Sequence, residues 1–245
     1  MSAARDVNLS LDRGETLGLV GESGSGKSSV AMSIPRLLPS PPAFWPKGRV
    51  VFDGVDTLSM SVADLRRIRG SRIGVVFQDP IGSLSPLHRI GDQLVETVRL
   101  HRDVSAKVAR DTALEWLGKV GIPDPETRAR AYPHELSGGM QQRVMIAMGL
   151  MLDPDLLIAD EPTTALDVSI QAQVLRLLKQ LHRSSSAVLL ITHDLGVVSQ
   201  LATRLAVMKD GRVVETADDP ADFFNNPKHP YSRTLVGEAR RRELT

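Results

Sequence analysis

The sequence predicts an α/β fold in which a mostly parallel sheet is interrupted by a helical lobe, and three observations carry that expectation. Short apolar runs alternate with helical patterns along the 245 residues, the rhythm of strands joined by helical crossovers. One such run, Thr16-Leu17-Gly18-Leu19-Val20, leads directly into a glycine-rich turn, Gly21-Glu22-Ser23-Gly24-Ser25-Gly26-Lys27-Ser28, and then into residues that can begin a helix, Ser28-Ser29-Val30-Ala31-Met32. Between Ile90 and Leu152 the strand signals stop, and apolar residues recur at helical spacing in Leu94-Val95-Val98 and Ala113-Leu114-Leu117-Val120. A single domain over 1–245 is expected, with 1–89 and 153–245 as its core and 90–152 as the inserted lobe.

Further strands are expected at Arg49–Phe52, Ile73–Phe77, Leu156–Ala159 and Ala187–Ile191. Leu205–Met208 and Val213–Glu215 flank Lys209-Asp210-Gly211-Arg212, which reads as a hairpin with an Asp-Gly turn. Pro39-Ser40-Pro41-Pro42 is a loop by its turn chemistry. Pro35 lacks the N–H that would bond the Ala31 carbonyl, so the helix after the glycine-rich turn should kink or end early, short of Leu38. Trp116 is expected in a helix of the lobe and Trp45 in a loop.

Bulk properties narrow the function. A net charge of +1 gives no basis for nucleic-acid binding. The absence of cysteine excludes disulfides, thiolate metal sites and iron–sulfur clusters. Met1-Ser2-Ala3-Ala4-Arg5-Asp6 lacks the apolar core of a signal peptide, and the longest apolar run, Val144 to Leu152, is too short to cross a bilayer, so a membrane role is expected to be peripheral. His88, His101 and His182 have no metal-ligand partners at useful spacing and read as surface or loop residues, and Arg240-Arg241-Arg242 reads as a solvated, frayed end.

Three segments carry chemistry. Gly21–Ser28 fits the G-x-x-x-x-G-K-[ST] phosphate loop, in the strand–loop–helix context that such a loop requires. Its glycines let successive amides converge on phosphate oxygens, the helix N-terminus adds partial positive charge, Lys27 can reach the β/γ-phosphates, and the Ser28 hydroxyl can ligate Mg²⁺. Leu156-Leu157-Ile158-Ala159-Asp160-Glu161 is an apolar strand ending in two carboxylates. Asp160 is placed to hold Mg²⁺, directly or through water, and Glu161 to polarise an attacking water. Leu136-Ser137-Gly138-Gly139-Met140-Gln141-Gln142-Arg143 reads as a helix capped by Ser137 whose first turn is bare of side chains, either a second anion site or an ordinary capped helix.

In this order and spacing, the phosphate loop, Leu136–Gln141 and Leu157–Glu161 resemble the ABC-type ATPases. The resemblance implies a P-loop, RecA-like core with ATP and Mg²⁺ as ligands, bound by Gly21, Glu22, Ser23, Gly24, Ser25, Gly26, Lys27, Ser28 and Ser29. It makes Leu136-Ser137-Gly138-Gly139-Met140 the signature motif, which faces the phosphate loop of a second, identical or different subunit and so accounts for the second anion site. It likewise makes Gln78 the Q-loop glutamine on Mg²⁺ and the attacking water, Ala165-Leu166-Asp167 the D-loop across the dimer, and His193 the switch histidine on the γ-phosphate. Val76-Phe77-Gln78-Asp79-Pro80 with Ser83-Leu84-Ser85-Pro86, Tyr132-Pro133-His134-Glu135-Leu136, Asp160–Ser169 and His229-Pro230-Tyr231-Ser232 resemble the peptide/nickel importer branch.

That resemblance implies an ATPase on the cytoplasmic face of the membrane, docked on permease subunits and served by a solute-binding protein. Peptides are the expected cargo, and nickel or another small solute the alternative. A soluble accessory ATPase of a carbon–phosphorus lyase-like complex is a rival reading. A DNA-repair ATPase is disfavoured because the chain has neither heptads nor cysteines. Besides Pro35 in the helix after the phosphate loop, the chain departs from the pattern in two places. Met1–Leu11 holds no aromatic residue to stack on adenine, so either the true start lies upstream or adenine is held otherwise. The cysteine-bearing C-terminal extension common in the branch does not follow Thr245.

Overall fold

The computed structural model describes residues 3–40, 43, 45, 47–163, 166, 168–181 and 185–242. In chain order the elements are β1 (Thr16–Val20), α1 (Lys27–Ser33), β2 (Val51–Phe52), β3 (Val55–Asp56), α2 (Val62–Ile68), β4 (Ile73–Val76), α3 (Pro80–Ser83), α4 (Ile90–His101), α5 (Ala106–Lys119) and α6 (Pro125–Arg128). A 3₁₀ turn at Pro133–Glu135 precedes α7 (Gly138–Leu150), β5 (Leu156–Asp160), α8 (Val168–Leu181), β6 (Ala187–Thr192), α9 (Leu195–Leu201), β7 (Arg204–Lys209), β8 (Arg212–Ala217), α10 (Pro220–Asn225) and α11 (Pro230–Arg242). Two compact units result: Met1–Ile68 together with Ala187–Thr245, and Arg69–Ser186.

In the first unit β1 is the central strand. It pairs in parallel with β6, from Thr16↔Val188 to Val20↔Thr192, and with β7, from Leu17↔Arg204 to Val20↔Val207. β8 runs antiparallel to β7. The intervening Asp210 (φ 49°) and Gly211 (φ 79°) are both left-handed, as a two-residue Asp-Gly turn requires. Val20, Leu195, Val198, Leu205, Val207, Phe223, Tyr231 and Val236 form one buried cluster. Each such side chain contributes roughly 1.5–3 kcal/mol by leaving water, and the cluster fixes α9, α10 and α11 around the end of β1.

In the second unit β4 and β5 pair in parallel, Ile73↔Leu156 to Val76↔Ala159. The stretch 90–152 is helical, without a strand, as its periodicity implies. Ile90, Leu94 and Val98 of α4 and Ala113, Trp116 and Leu117 of α5 are buried. α7 is buried nearly all round, through Val144, Met145, Ile146, Ala147 and Leu150, and lies against β4. That contact ties the helices to the strands, so this compact unit takes in β4 and β5 as well as the expected lobe.

α1 ends at Ser33, and the helix does not continue to Leu38. Arg36 turns left-handed (φ 52°), while the Leu37 amide reaches the Met32 carbonyl and the Arg36 amide the Ser33 carbonyl. This is a Schellman termination, with Pro35 where the missing N–H costs nothing. Trp116 lies in α5, and Trp45, outside any regular element, donates its Nε1–H to Ser33 Oγ at 3.1 Å.

Four expectations need adjustment. The strand expected at Arg49–Phe52 begins only at Val51, because the Val50 amide turns to Asp56 Oδ1 at 3.1 Å. The strand expected to reach Phe77 stops at Val76, leaving Phe77 exposed. Arg240–Arg242 is not frayed: α11 runs through Arg242, and Arg240 Nη2 donates to the Phe224 carbonyl at 2.7 Å. His101 is neither free surface nor loop. It ends α4 half-buried beside Gly70, and burial lowers its pKa. His182 lies outside the described residues, as do Ala165 and Asp167.

Candidate nucleotide-binding site

In both units the residues around Gly21, Gln78, Asp160–Glu161 and His193 stand at the carboxyl ends of paired parallel strands, whereas Ser137–Gly139 begin α7. In the first, Val20 is in register with Thr192, so Gly21 and His193 leave neighbouring strands side by side. Gly21 has φ 150°, and a Cβ there would lie 2.2 Å from the Met208 carbonyl oxygen, so only glycine lets β1 turn into the loop beside β7. Lys27 is 4% exposed, and its ammonium donates to the Gly21 carbonyl at 2.7 Å and the Glu22 carbonyl at 2.8 Å, with Ser25 Oγ at 3.5 Å. The other face of the Gly21–Glu22 peptide is held as well, since the Glu22 amide donates to the phenol oxygen of Tyr231 at 2.9 Å. Glu22, Ser23, Gly24 and Ser28 are exposed, Ser25 is buried, and Gly26 and Ser29 are half-buried.

His193 is exposed between Thr192 and Asp194. The Asp194 amide donates to Thr192 Oγ1 at 2.9 Å, and Asp194 Oδ1 caps α9 by accepting from the Gly196 amide at 2.8 Å. The backbone on both sides of the imidazole is thereby fixed.

In the second unit Val76 is in register with Ala159, which brings the residues beyond the two strand ends together. Gln78 Nε2 donates to Glu161 Oε2 at 3.0 Å. Asp160 is the last residue of β5 and is 6% exposed. Glu161 follows in a left-handed conformation (φ 45°), uncommon for a residue with a long side chain and concentrated at functional sites. Ser137 caps α7 by accepting from the Met140 amide at 3.4 Å. Ser137 and Gly138 are exposed, and a Cβ on Gly138 would meet nothing within 4 Å. The turn before this helix is braced by buried Gln141, whose Nε2 donates to the carbonyls of Pro133 at 2.8 Å and Leu136 at 3.2 Å.

Residues 4–164 match the family described as ABC transporter. The chain belongs to that family. It carries the family's ATPase domain, a P-loop α/β cassette. It is 49% identical to the oligopeptide transport ATP-binding protein OppD of Bacillus subtilis over 237 residues, 96% of this chain and 66% of that protein. A probable peptide ABC transporter ATP-binding protein of Sinorhizobium fredii is 54% identical over 231 residues, 94% of this chain and 69% of that one. The dipeptide transport ATP-binding protein DppD of Bacillus subtilis is 49% identical over 245 residues, 100% of this chain and 73% of that one. The chain thus spans about two thirds of the length of these relatives. Among solved structures, an ATP-binding cassette captured as a dimer in a post-hydrolysis state with ADP and Pi superposes with a TM-score of 0.78 at 32% identity, covering 88% of this chain and 90% of that one.

Within the cassette, Lys27, Gly21, Glu22 and Ser25 are brought into contact with one another, as are Gln78 and Glu161. Reasoning from sequence alone gave Tyr231 no part in the loop. It stands 209 positions from Glu22, and only its place in the His229-Pro230-Tyr231-Ser232 motif set it apart. No described helix is long and apolar enough to cross a membrane.

Proposed function

We propose that this chain hydrolyses ATP to drive uptake of oligopeptides or dipeptides, as a peripheral subunit on the cytoplasmic face of the cell membrane. It would pair with a second ABC ATPase subunit and dock on permease subunits fed by a solute-binding protein. The reading rests on the 49–54% identity, sustained along nearly the whole chain, to ATP-binding proteins named for peptide transport.

The site residues fit a Mg²⁺–triphosphate. The loop is shaped by Gly21, Gly24 and Gly26 at φ 150°, 79° and 100°, where side chains would strain the backbone, and a buried lysine ammonium lies against it. In this reading amides of the loop beyond Glu22, whose own N–H is held by Tyr231, and Lys27 take up phosphate charge, and Lys27 exchanges its hold on the Gly21 and Glu22 carbonyls for phosphate oxygens. Ser28, Gln78 and Asp160 are the side chains that would hold Mg²⁺. The ion, when bound, neutralises charge on the phosphates.

Glu161 accepts a proton from, or orients, the attacking water, and Gln78, already bonded to its carboxylate, reports to it whether the site is filled. His193 donates to the γ-phosphate. Ser137, Gly138 and Gly139 complete the site of the second subunit, with Asp167 across the dimer.

The test is Glu161→Gln, which keeps an acceptor for Gln78 and removes the base. Binding of Mg·ATP should persist while turnover falls roughly 10²- to 10⁴-fold. Uptake of a labelled tripeptide by cells lacking the wild-type chain should be restored by the wild type and not by the variant. Undiminished uptake in those cells would remove peptides as cargo, and wild-type turnover by Glu161→Gln would remove Glu161 from catalysis.

A further inference from the structure

The peptide bond joining Gly21 and Glu22 is gripped from both sides. Its carbonyl accepts from Lys27 Nζ at 2.7 Å, and its N–H donates to Tyr231 Oη at 2.9 Å. A rigid peptide plane cannot satisfy one partner in an arbitrary orientation and keep the other. The tyrosine is itself well anchored. The residue is 7% exposed in the cluster with Val20, Val207 and Phe223, and the Lys209 ammonium lies 4.8 Å from the ring centroid. Its backbone amide donates to His229 Nδ1 at 3.2 Å. Upstream, Glu215 of β8 accepts the amides of Lys228 and His229, at 2.8 Å each, and so fixes the start of α11.

We propose that Tyr231 is a positioning residue of the phosphate loop, setting through the Glu22 amide the tilt of the peptide whose carbonyl holds Lys27 before nucleotide enters. The C-terminal helix is thereby joined to the nucleotide site. When Lys27 leaves the Gly21 carbonyl for a phosphate oxygen, the peptide loses one of its two restraints, and Tyr231 retains the loop in the shape that binds. The inference rests on the reading of Gly21–Ser28 as the triphosphate cradle.

Tyr231→Phe keeps the ring and removes the acceptor. Loss of one hydrogen bond to a loop that binds ground state and transition state alike should raise the KM for ATP about 3- to 10-fold and leave kcat within about 2-fold. Hydrogen exchange at the Glu22 amide should speed up by a similar factor, while the amide of Val20 in β1 stays as slow as in the wild type. A purely structural role would instead lower the melting temperature with KM and Glu22 exchange unmoved, and that result overturns the proposal.

Should the variant fail to fold, the wild-type protein supplies the test. The chain has two tyrosines, so 3-fluorotyrosine labelling gives two fluorine resonances, assigned with Tyr132→Phe. The Tyr231 resonance should shift on titration with Mg·ATP, and no shift at saturation refutes the coupling. If the wild type binds no nucleotide, it is the functional reading that fails, whereas exchange at Glu22 still decides whether Tyr231 holds the loop.

Discussion

Gly21→Ala tests whether the loop geometry is imposed by sterics, and Gly24→Ala supplies its matched control. Both residues have positive φ, 150° and 79°, so both alanines carry backbone strain of about 1–2 kcal/mol. They differ in their surroundings. A Cβ at 21 would lie 2.2 Å from the Met208 carbonyl oxygen, whereas one at 24 meets nothing within 4 Å. Relieving a 2.2 Å contact requires a shift of about 1 Å between backbone segments that adjoin the Val20↔Val207 pair, so overpacking adds about 1–3 kcal/mol at position 21 alone. At 2–4 °C per kcal/mol for a chain of this size, Gly21→Ala should melt about 4–20 °C lower and Gly24→Ala about 2–8 °C lower. Thermal melting by circular dichroism, with and without Mg·ATP, measures both. Gly21→Ala should also lose most of the nucleotide-dependent rise in melting temperature, because the displaced Gly21 carbonyl no longer positions Lys27. Equal destabilisation by the two alanines would refute the steric argument and leave only conformational strain.

Two further expectations concern other parts of the molecule. Gly138→Ala places a methyl where nothing stands within 4 Å, so stability should hold or rise by up to about 1 kcal/mol, while turnover falls at least about tenfold if that surface faces a second subunit's phosphates; unchanged turnover removes the signature turn from the site. Burial pushes the Glu215 carboxyl up, but the Lys228 and His229 amides, which donate to its two oxygens at 2.8 Å each, with the nearby His229 charge, hold it below its ordinary 4.5. Because the folded form prefers the carboxylate, Glu215 stabilises α11 above the ordinary carboxylate range and loses that contribution as pH falls through its lowered value; Glu215→Gln should flatten the acid limb of a melting-temperature profile, and an unchanged limb counts against it.

Much of this site was legible because its parts are local in sequence. The strand, glycine-rich turn and helix at Thr16–Ser33 are contiguous, as are β5 with Asp160–Glu161 and the Ser137 cap with α7, so period and turn chemistry locate them without tertiary knowledge. Short elements were harder. β2 and β3 have two residues each, too few to alternate, and the turn Asp53-Gly54 (φ 49° and 82°) went unread although it repeats the chemistry of Asp210-Gly211. The Glu22–Tyr231 bond was out of reach for a different reason. Nothing in the composition around Tyr231 signals a hydrogen bond to a backbone amide more than two hundred residues away; that contact exists only because the apolar cluster carries α11 to the end of β1.

The chemistry is therefore specified largely by residues that take no part in it. Gln78 meets Glu161 because β4 and β5 pair with Val76 opposite Ala159, and Gly21 leaves beside His193 because β1 and β6 pair with Val20 opposite Thr192. A slip of one residue in either ladder would move a strand end by about 3.3 Å and turn its side chains to the other face. For a 3.0 Å bond such as Gln78–Glu161 that displacement is complete loss. Leu17, Leu19 and Val20 of β1, Leu156 through Ala159 of β5 and Leu189 through Ile191 of β6 are each under 9% exposed, so both faces are apolar and what opposes the slip is close packing: each side chain would leave the space it fills and overfill the next. Substitutions deep in these strands should consequently impair turnover through geometry, at distances where no contact with nucleotide exists.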